Sequence, residues 1–202
     1  MVTTATITDL ALEVGSLRVL GRLEQHEIEL GDAIFERKYK DEYESVSVRY
    51  GKHKKEEEVI VKIFHQKNAD NSSGRCNREV AALKRLTECA CDYAPTFIKE
   101  FSIASTSGRV DRYVIMSKLP GFDLSNRDEW EDVVVMDVLR ESFRTAQKAV
   151  LDCGVDNGSH SDRNIMFDPA QEKCYIVDFE RASIKDSYKG TEYGTNLDLW
   201  LY

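Results

Sequence analysis

Four groups of residues in this chain are of a kind and spacing that could do chemistry. The run Asn157-Gly158-Ser159-His160-Ser161-Asp162-Arg163-Asn164 gathers two amides, a histidine, a carboxylate and two hydroxyls. Fourteen residues past Asn164 stands Asp178, at the end of an apolar stretch. Upstream, Lys62 interrupts the run Val59-Ile60-Val61-Lys62-Ile63-Phe64, and an ammonium inside an apolar strand needs a partner. Glu79, seventeen residues further on, is the candidate partner. Proton transfer from a bound hydroxyl needs a carboxylate or imidazole about 3 Å away. Asp162 and His160 are the groups of the run able to supply one, whereas the Ser159 hydroxyl cannot act as a base at neutral pH.

These residues need elements to hold them, and the elements are legible. Ile165-Met166-Phe167, a turn at Asp168-Pro169, and Cys174 to Val177 read as strand, turn, strand, delivering Asp178. The β-branched run around Lys62 reads as a buried strand. Residues 77–86 form an amphipathic helix with Val80, Leu83 and Leu86 on one face and Glu79 near its start. Residues 129–152 have helical spacing through Val135, Val138, Leu139, Phe143, Ala146 and Val150, with Cys153-Gly154 as the stop. Arg112 to Ser117 reads as a strand running into a Pro120-Gly121 turn. Residues 28–37 and 43–50 pair as a hairpin across Lys38 to Glu42. The charged stretch Lys52 to Glu58 is a second, solvated turn, Lys67 to Arg75 is a loop, Gly21 and Gly31 mark turns, and residues 10–23 are assigned to a helix.

The order Lys62, Glu79, Asn164, Asp178, with these elements around each, resembles the protein-kinase-like superfamily. The resemblance is closest to the aminoglycoside-phosphotransferase-like kinases and to fungal small kinase-like proteins, whose Asp-Phe-Glu-Arg-Ala run matches Asp178 to Ala182. It covers roughly residues 28–182. It implies an α+β, two-lobed protein-kinase-like fold, with an N-lobe at 1–119 (antiparallel sheet plus the Glu79 helix) and a truncated C-lobe at 120–202, since only twenty residues follow Ala182. It also implies ATP and Mg²⁺ as cofactors: Lys62, held by Glu79, would take the phosphates, and Asn164 and Asp178 the metal. Met116 would be the gatekeeper, with the backbone of Ser117 to Leu119 against the adenine. A glycine-rich phosphate loop is missing, because the turn Lys38 to Glu42 is charged and bulky where glycine would allow close backbone approach. Gly190 to Tyr193 and Asp198 to Trp200 are a compressed echo of an activation-segment end, and no peptide-binding platform is evident.

The family's catalytic loop runs Gly-Val-x-His-Gly-Asp, then Asn. Aligned back from Asn164 without a gap, its histidine falls on Asn157 and its catalytic aspartate on Ser159. With a gap, His160-Ser161-Asp162 is itself the His-x-Asp. Three functions follow: a nucleotide-binding pseudokinase acting on or through a ligand or a protein partner; an active small-molecule phosphotransferase using Asp162 or His160; or a kinase-fold pocket turned to another small-molecule reaction such as isomerisation or cyclisation.

Composition narrows the partners. The 202 residues are 42% apolar and 32% charged, and a net charge of −8 disfavours nucleic acid. No apolar run reaches membrane-spanning length and no signal sequence is evident, so no membrane partner and a cytoplasmic location are expected. The five cysteines lack zinc-site spacing and are expected as reduced thiols.

Overall fold

β-branched runs and two amphipathic periods build the chain's mixed α+β architecture, whose strand pairs are mostly antiparallel. The computed structural model describes residues 23–38, 44–54, 56–66, 74–104, 108–125, 135–186 and 197–201. The chain divides into two units, residues 1–73 with 99–116 and residues 74–98 with 117–202.

The first unit is built on a five-stranded sheet, in the order β1-β2-β3-β5-β4. Its strands are β1 (Ile28–Lys38), β2 (Glu44–His53), β3 (Glu57–Gln66), β4 (Phe97–Ala104) and β5 (Val110–Ser117). In β3 the period-2 rule sends Val59, Val61 and Ile63 to one face and Lys62, Phe64 and Gln66 to the other, and all six are buried. The β1/β2 and β2/β3 hairpins expected from the sequence are both present. Gly31, expected at a turn, instead lies within β1 beside a register irregularity between Leu30 and Ala33, where a Cβ would come within 3.2 Å of the Tyr50 carbonyl oxygen. The stacked rings of His26, Phe101 and Tyr113 add a small aromatic column.

The second unit holds helices α1 (Gly74–Glu88) and α2 (Met136–Asp152), the three-stranded sheet β6-β8-β9 and the β7/β10 pair. These strands are β6 (Phe122–Asp123), β7 (Val155–Asp156), β8 (Ile165–Asp168), β9 (Lys173–Ile176) and β10 (Ser183–Ile184). Helix α1 starts three residues before the expected Asn77, so Gly74 and Arg75 are helical where a loop was expected; it counts with the second unit, although the division at 119/120 puts it in the first. Helix α2 starts at Met136, after an extended Val135, rather than at Glu129. Residues 129–134 and 67–73, like residues 10–22 of the expected helix over 10–23, Gly21, residues 39–42 of the expected turn over 38–42 and the 190–193 echo, lie outside the described residues.

Helix α2 buries Leu139, Phe143, Ala146, Val150 and Leu151 along one stripe. Trp200 lies edge-on to Phe143. The Ser142 hydroxyl accepts from the Cys174 N–H at 2.7 Å, which pins α2 to β9. The helix stops at Gly154, whose φ of +79° suits glycine, and a Cβ there would lie 2.2 Å from the Lys185 carbonyl oxygen. Among the described residues no helix is long and apolar enough to cross a membrane.

Candidate functional site

The polar run 157–164 leaves the β7/β10 ladder and is shaped by two buried amides. Asn157, wholly buried, donates from Nδ2 to the carbonyl oxygens of Val177 (3.0 Å) and Asp178 (2.9 Å), and its Oδ1 accepts from the Ser159 N–H (3.0 Å). Asn164, also buried, donates from Nδ2 to the Ser159 carbonyl oxygen (3.1 Å), while its own carbonyl accepts from the Val177 N–H (2.9 Å). The backbone of Ser159 is therefore held at both ends, and the 157–164 run is laced to the exit of the β8/β9 hairpin. Gly158 makes the bend with φ of +68°, where a Cβ would lie 2.4 Å from the Arg181 carbonyl oxygen.

Asp178 has φ of +63°, a left-handed conformation uncommon outside glycine and concentrated at functional sites. Phe179 after it is fully buried. Because the Asn164 nitrogen is fixed by its bond to Ser159, its amide oxygen is the end left to act as an acceptor. Like the Asp178 carboxylate, it is a hard oxygen donor of the kind Mg²⁺ takes from a protein when phosphates and water complete the shell. Among the described residues no group of three or more His, Cys, Asp or Glu side chains forms a metal site.

The two residues able to act as a base are engaged locally. Asp162 accepts from the Arg163 N–H (2.8 Å) and the Ser161 hydroxyl (3.2 Å), at the start of a 3₁₀ turn over Asp162–Asn164. His160 is exposed, with its ring 5.1 Å from that of Trp200. Ser159 is the residue fastened directly to both amides.

Glu79 is buried on α1. On the same helix Arg78 donates to the Glu180 carbonyl oxygen at 2.8 Å, and Arg75 lies 3.9 Å from the Glu180 carboxylate. Glu180 is itself buried, so the carboxylate standing where the kinase pattern has glycine has a cation nearby. Sequence reasoning passed over Arg75 and Arg78; the signal was that an acid following Asp178-Phe179 must find a positive partner.

Lys62 is buried in the first unit, its ammonium 5.5 Å from the Phe64 ring centroid. Met116 is buried near the end of β5. Ser117 exchanges hydrogen bonds with Thr96, its N–H donating to the Thr96 carbonyl and its hydroxyl accepting from the Thr96 N–H. Leu119 is half-buried.

A second line of functional groups was invisible in the sequence. Ser47 Oγ is 3.1 Å from His65 Nε2, and His65 Nδ1 is 2.9 Å from Asp111 Oδ1. Burial pushes the Asp111 carboxyl up, but hydrogen bonds with His65 and Arg109 outweigh it and bring it below the usual carboxylate range. The order of atoms is that of a nucleophilic triad, but the surroundings are not. Ser47 is only 6% exposed within a sheet strand, and Arg109 contacts the same Nδ1 that faces Asp111. That nitrogen cannot donate to one and accept from the other at once. The cluster reads as a polar tie across β2, β3 and β5.

The fold and site thus define an α+β protein with a backbone-braced polar loop facing a left-handed aspartate. No protein-family model and no curated protein sequence matches the chain.

Proposed function

We propose that this chain is a kinase-like nucleotide-binding protein, taking ATP with Mg²⁺, in which the loop scaffold is kept and the catalytic carboxylate is replaced by Ser159. The observation that carries the reading is the bracing of Ser159: Asn157 bonds its N–H and Asn164 its carbonyl, while the Asn157 amide also holds the Val177 and Asp178 carbonyls and the Asn164 backbone carbonyl accepts from the Val177 N–H. This favours the ungapped alignment, in which Asn157 stands for the family's histidine. In this reading Asn164 and Asp178 hold Mg²⁺, which when bound neutralises phosphate charge. By the resemblance Lys62 is the residue assigned to the phosphates, with Glu79 as its expected partner, and Met116 with Ser117 to Leu119 to the adenine.

The phosphotransferase reading through Asp162 or His160 is supported less, since one oxygen of Asp162 is engaged in its own turn and His160 packs with Trp200. Removal of a positioned base costs roughly 10²–10⁴-fold in rate, so binding outlives turnover. The test is a thermal-shift titration with ATP, with and without Mg²⁺, on the wild type and on Asp178→Ala. A Mg²⁺-dependent rise abolished by Asp178→Ala is expected. No rise at millimolar ATP in the wild type overturns the proposal and leaves a scaffold or a pocket turned to other chemistry.

A further inference from the structure

Three of the five cysteines, Cys89, Cys91 and Cys153, converge at one place in the second unit, although more than sixty residues separate the first from the last. Local structure explains how. Helix α1 ends in a turn where Ala90 N–H bonds the Thr87 carbonyl and Cys91 N–H the Leu86 carbonyl, each at 3.0 Å, folding Cys91 back toward the helix end. Ala90 takes φ of +52° to do so, a conformation normally left to glycine or asparagine. Cys153 caps the C-terminus of α2, and its carbonyl accepts from Arg85 of α1 at 3.0 Å and contacts the Cys89 thiol at 4.0 Å. The Cys89 and Cys91 thiols also lie close enough to that of Cys153 to act on its ionisation.

We propose that this cluster is a thiol-disulfide modification site, in which exposed Cys89 captures a low-molecular-weight disulfide and Cys153 resolves it, cross-linking the C-terminal ends of α1 and α2. The electrons balance with glutathione disulfide as oxidant. The Cys89 thiolate attacks one sulfur, forming a mixed disulfide and releasing one glutathione thiolate. Cys153 then gives up its proton to solvent base and attacks the Cys89 sulfur, releasing the second. Two protein thiols become one disulfide, and one glutathione disulfide becomes two thiols.

The order of attack follows from the surroundings. Burial, and then the neighbouring Cys91 and Cys89, push the Cys153 thiol up to about 12, and burial raises Cys91, so these two keep their protons in the resting cluster. Cys89 is the exposed one. Cys76 and Cys174 are fully buried and stay outside the chemistry. Metal capture is not the alternative, since no three of these groups form a metal site among the described residues.

The cross-link is placed where it can matter. Cys153 lies two residues before β7, which leads into the 157–164 run, and α1 reaches the 178–180 segment through Arg78. Closing the disulfide would lock α1 to the start of that run. The inference does not depend on nucleotide binding.

The test is incubation of the reduced full chain with glutathione disulfide, followed by intact mass and peptide mapping. The wild type should lose two hydrogens and yield a Cys89–Cys153 linked peptide, with a raised melting temperature that reductant reverses. Cys153→Ser should instead stop at a glutathionylated Cys89, Cys89→Ser should take up no label, and Cys91→Ser should still close the cross-link. Labelling of Cys89→Ser equal to wild type, or a wild type that keeps a stable glutathione adduct without closing, overturns the proposal.

Discussion

Replacing Asn157 should be the most damaging single polar change in the second unit, and the structure allows its size to be worked out. The wholly buried amide serves three backbone groups: the Val177 and Asp178 carbonyls and the Ser159 N–H. Asn157→Ala leaves all three without that partner. A buried polar group stripped of its partner costs roughly 1–3 kcal/mol. Since a water entering the vacated space recovers part of this, a loss of about 3 kcal/mol is expected, on the order of a hundredfold in the folded-to-unfolded ratio.

Asn157→Asp sharpens the test, because it keeps the acceptor for Ser159 but turns a carboxylate oxygen toward two carbonyls. At pH 7 it should be at least as damaging as alanine. The new carboxyl, buried and facing carbonyl oxygens, has its folded pKa raised above the unfolded value of about 3.9. Its stability is therefore greatest below that value and falls as pH rises, so the aspartate variant should recover relative to alanine near pH 4. Urea unfolding followed by tryptophan fluorescence reads both, since Trp200 is buried against Phe143. An alanine variant within about 0.5 kcal/mol of wild type, the range of an inconsequential surface change, would refute the bracing role given to this amide.

Gly158→Ala puts a Cβ 2.4 Å from a backbone oxygen at φ of +68° and should destabilise by about 2 kcal/mol or more in the same urea assay. Cys174, pushed up to about 12 by burial, keeps its proton in the folded state while the unfolded thiol ionises near pH 9. Its share of the stability should thus be intact below pH 9 and fall by about 1.4 kcal/mol per pH unit above it, so Cys174→Ala should lessen the alkaline slope by that amount while the share of Cys153 remains. Ala90→Gly relieves a left-handed alanine and should raise stability by about 0.5–1 kcal/mol, read as a shift in urea midpoint. Ser159→Asp should leave the melting temperature within about 2 °C of wild type, since a side chain outside the core is usually neutral. It should raise ATP turnover by roughly 10²–10⁴-fold if the missing carboxylate is the missing base.

What the sequence disclosed was what short-range pattern controls. The β3 run around Lys62, the β8/β9 hairpin with its Asp168-Pro169 turn and the apolar period of α1 each follow from neighbours a few residues apart. Element starts were read less well. Gly74 and Arg75 look like the end of a polar loop because glycine is a poor helix former, yet Arg75 and Arg78 face Glu180, more than a hundred residues away. The same distance hid the Ser47, His65 and Asp111 tie and the three-thiol cluster, whose members lie on separate elements and show no common spacing. Asn157 was visible as a departure from a family pattern, but its three hydrogen bonds depend on where residues 177 and 178 return.

That return also explains how a loop of this kind can lose a catalytic side chain and keep its shape. Each bond that sets the position of residue 159 is made to its backbone, by Asn157 at the N–H and by Asn164 at the carbonyl. The brace uses the backbone of residue 159 and not the Ser159 hydroxyl, so an exchange of aspartate for serine there would be almost invisible to folding while being decisive for proton transfer. The side chains at 157 and 164 are in the opposite position, because the Asn157 amide serves backbone groups on both sides of the loop and the Asn164 amide holds the Ser159 carbonyl. Selection on stability alone would hold Asn157, Gly158 and Asn164 and leave position 159 free. In the proposed reading, the chain keeps those three and has serine at the fourth.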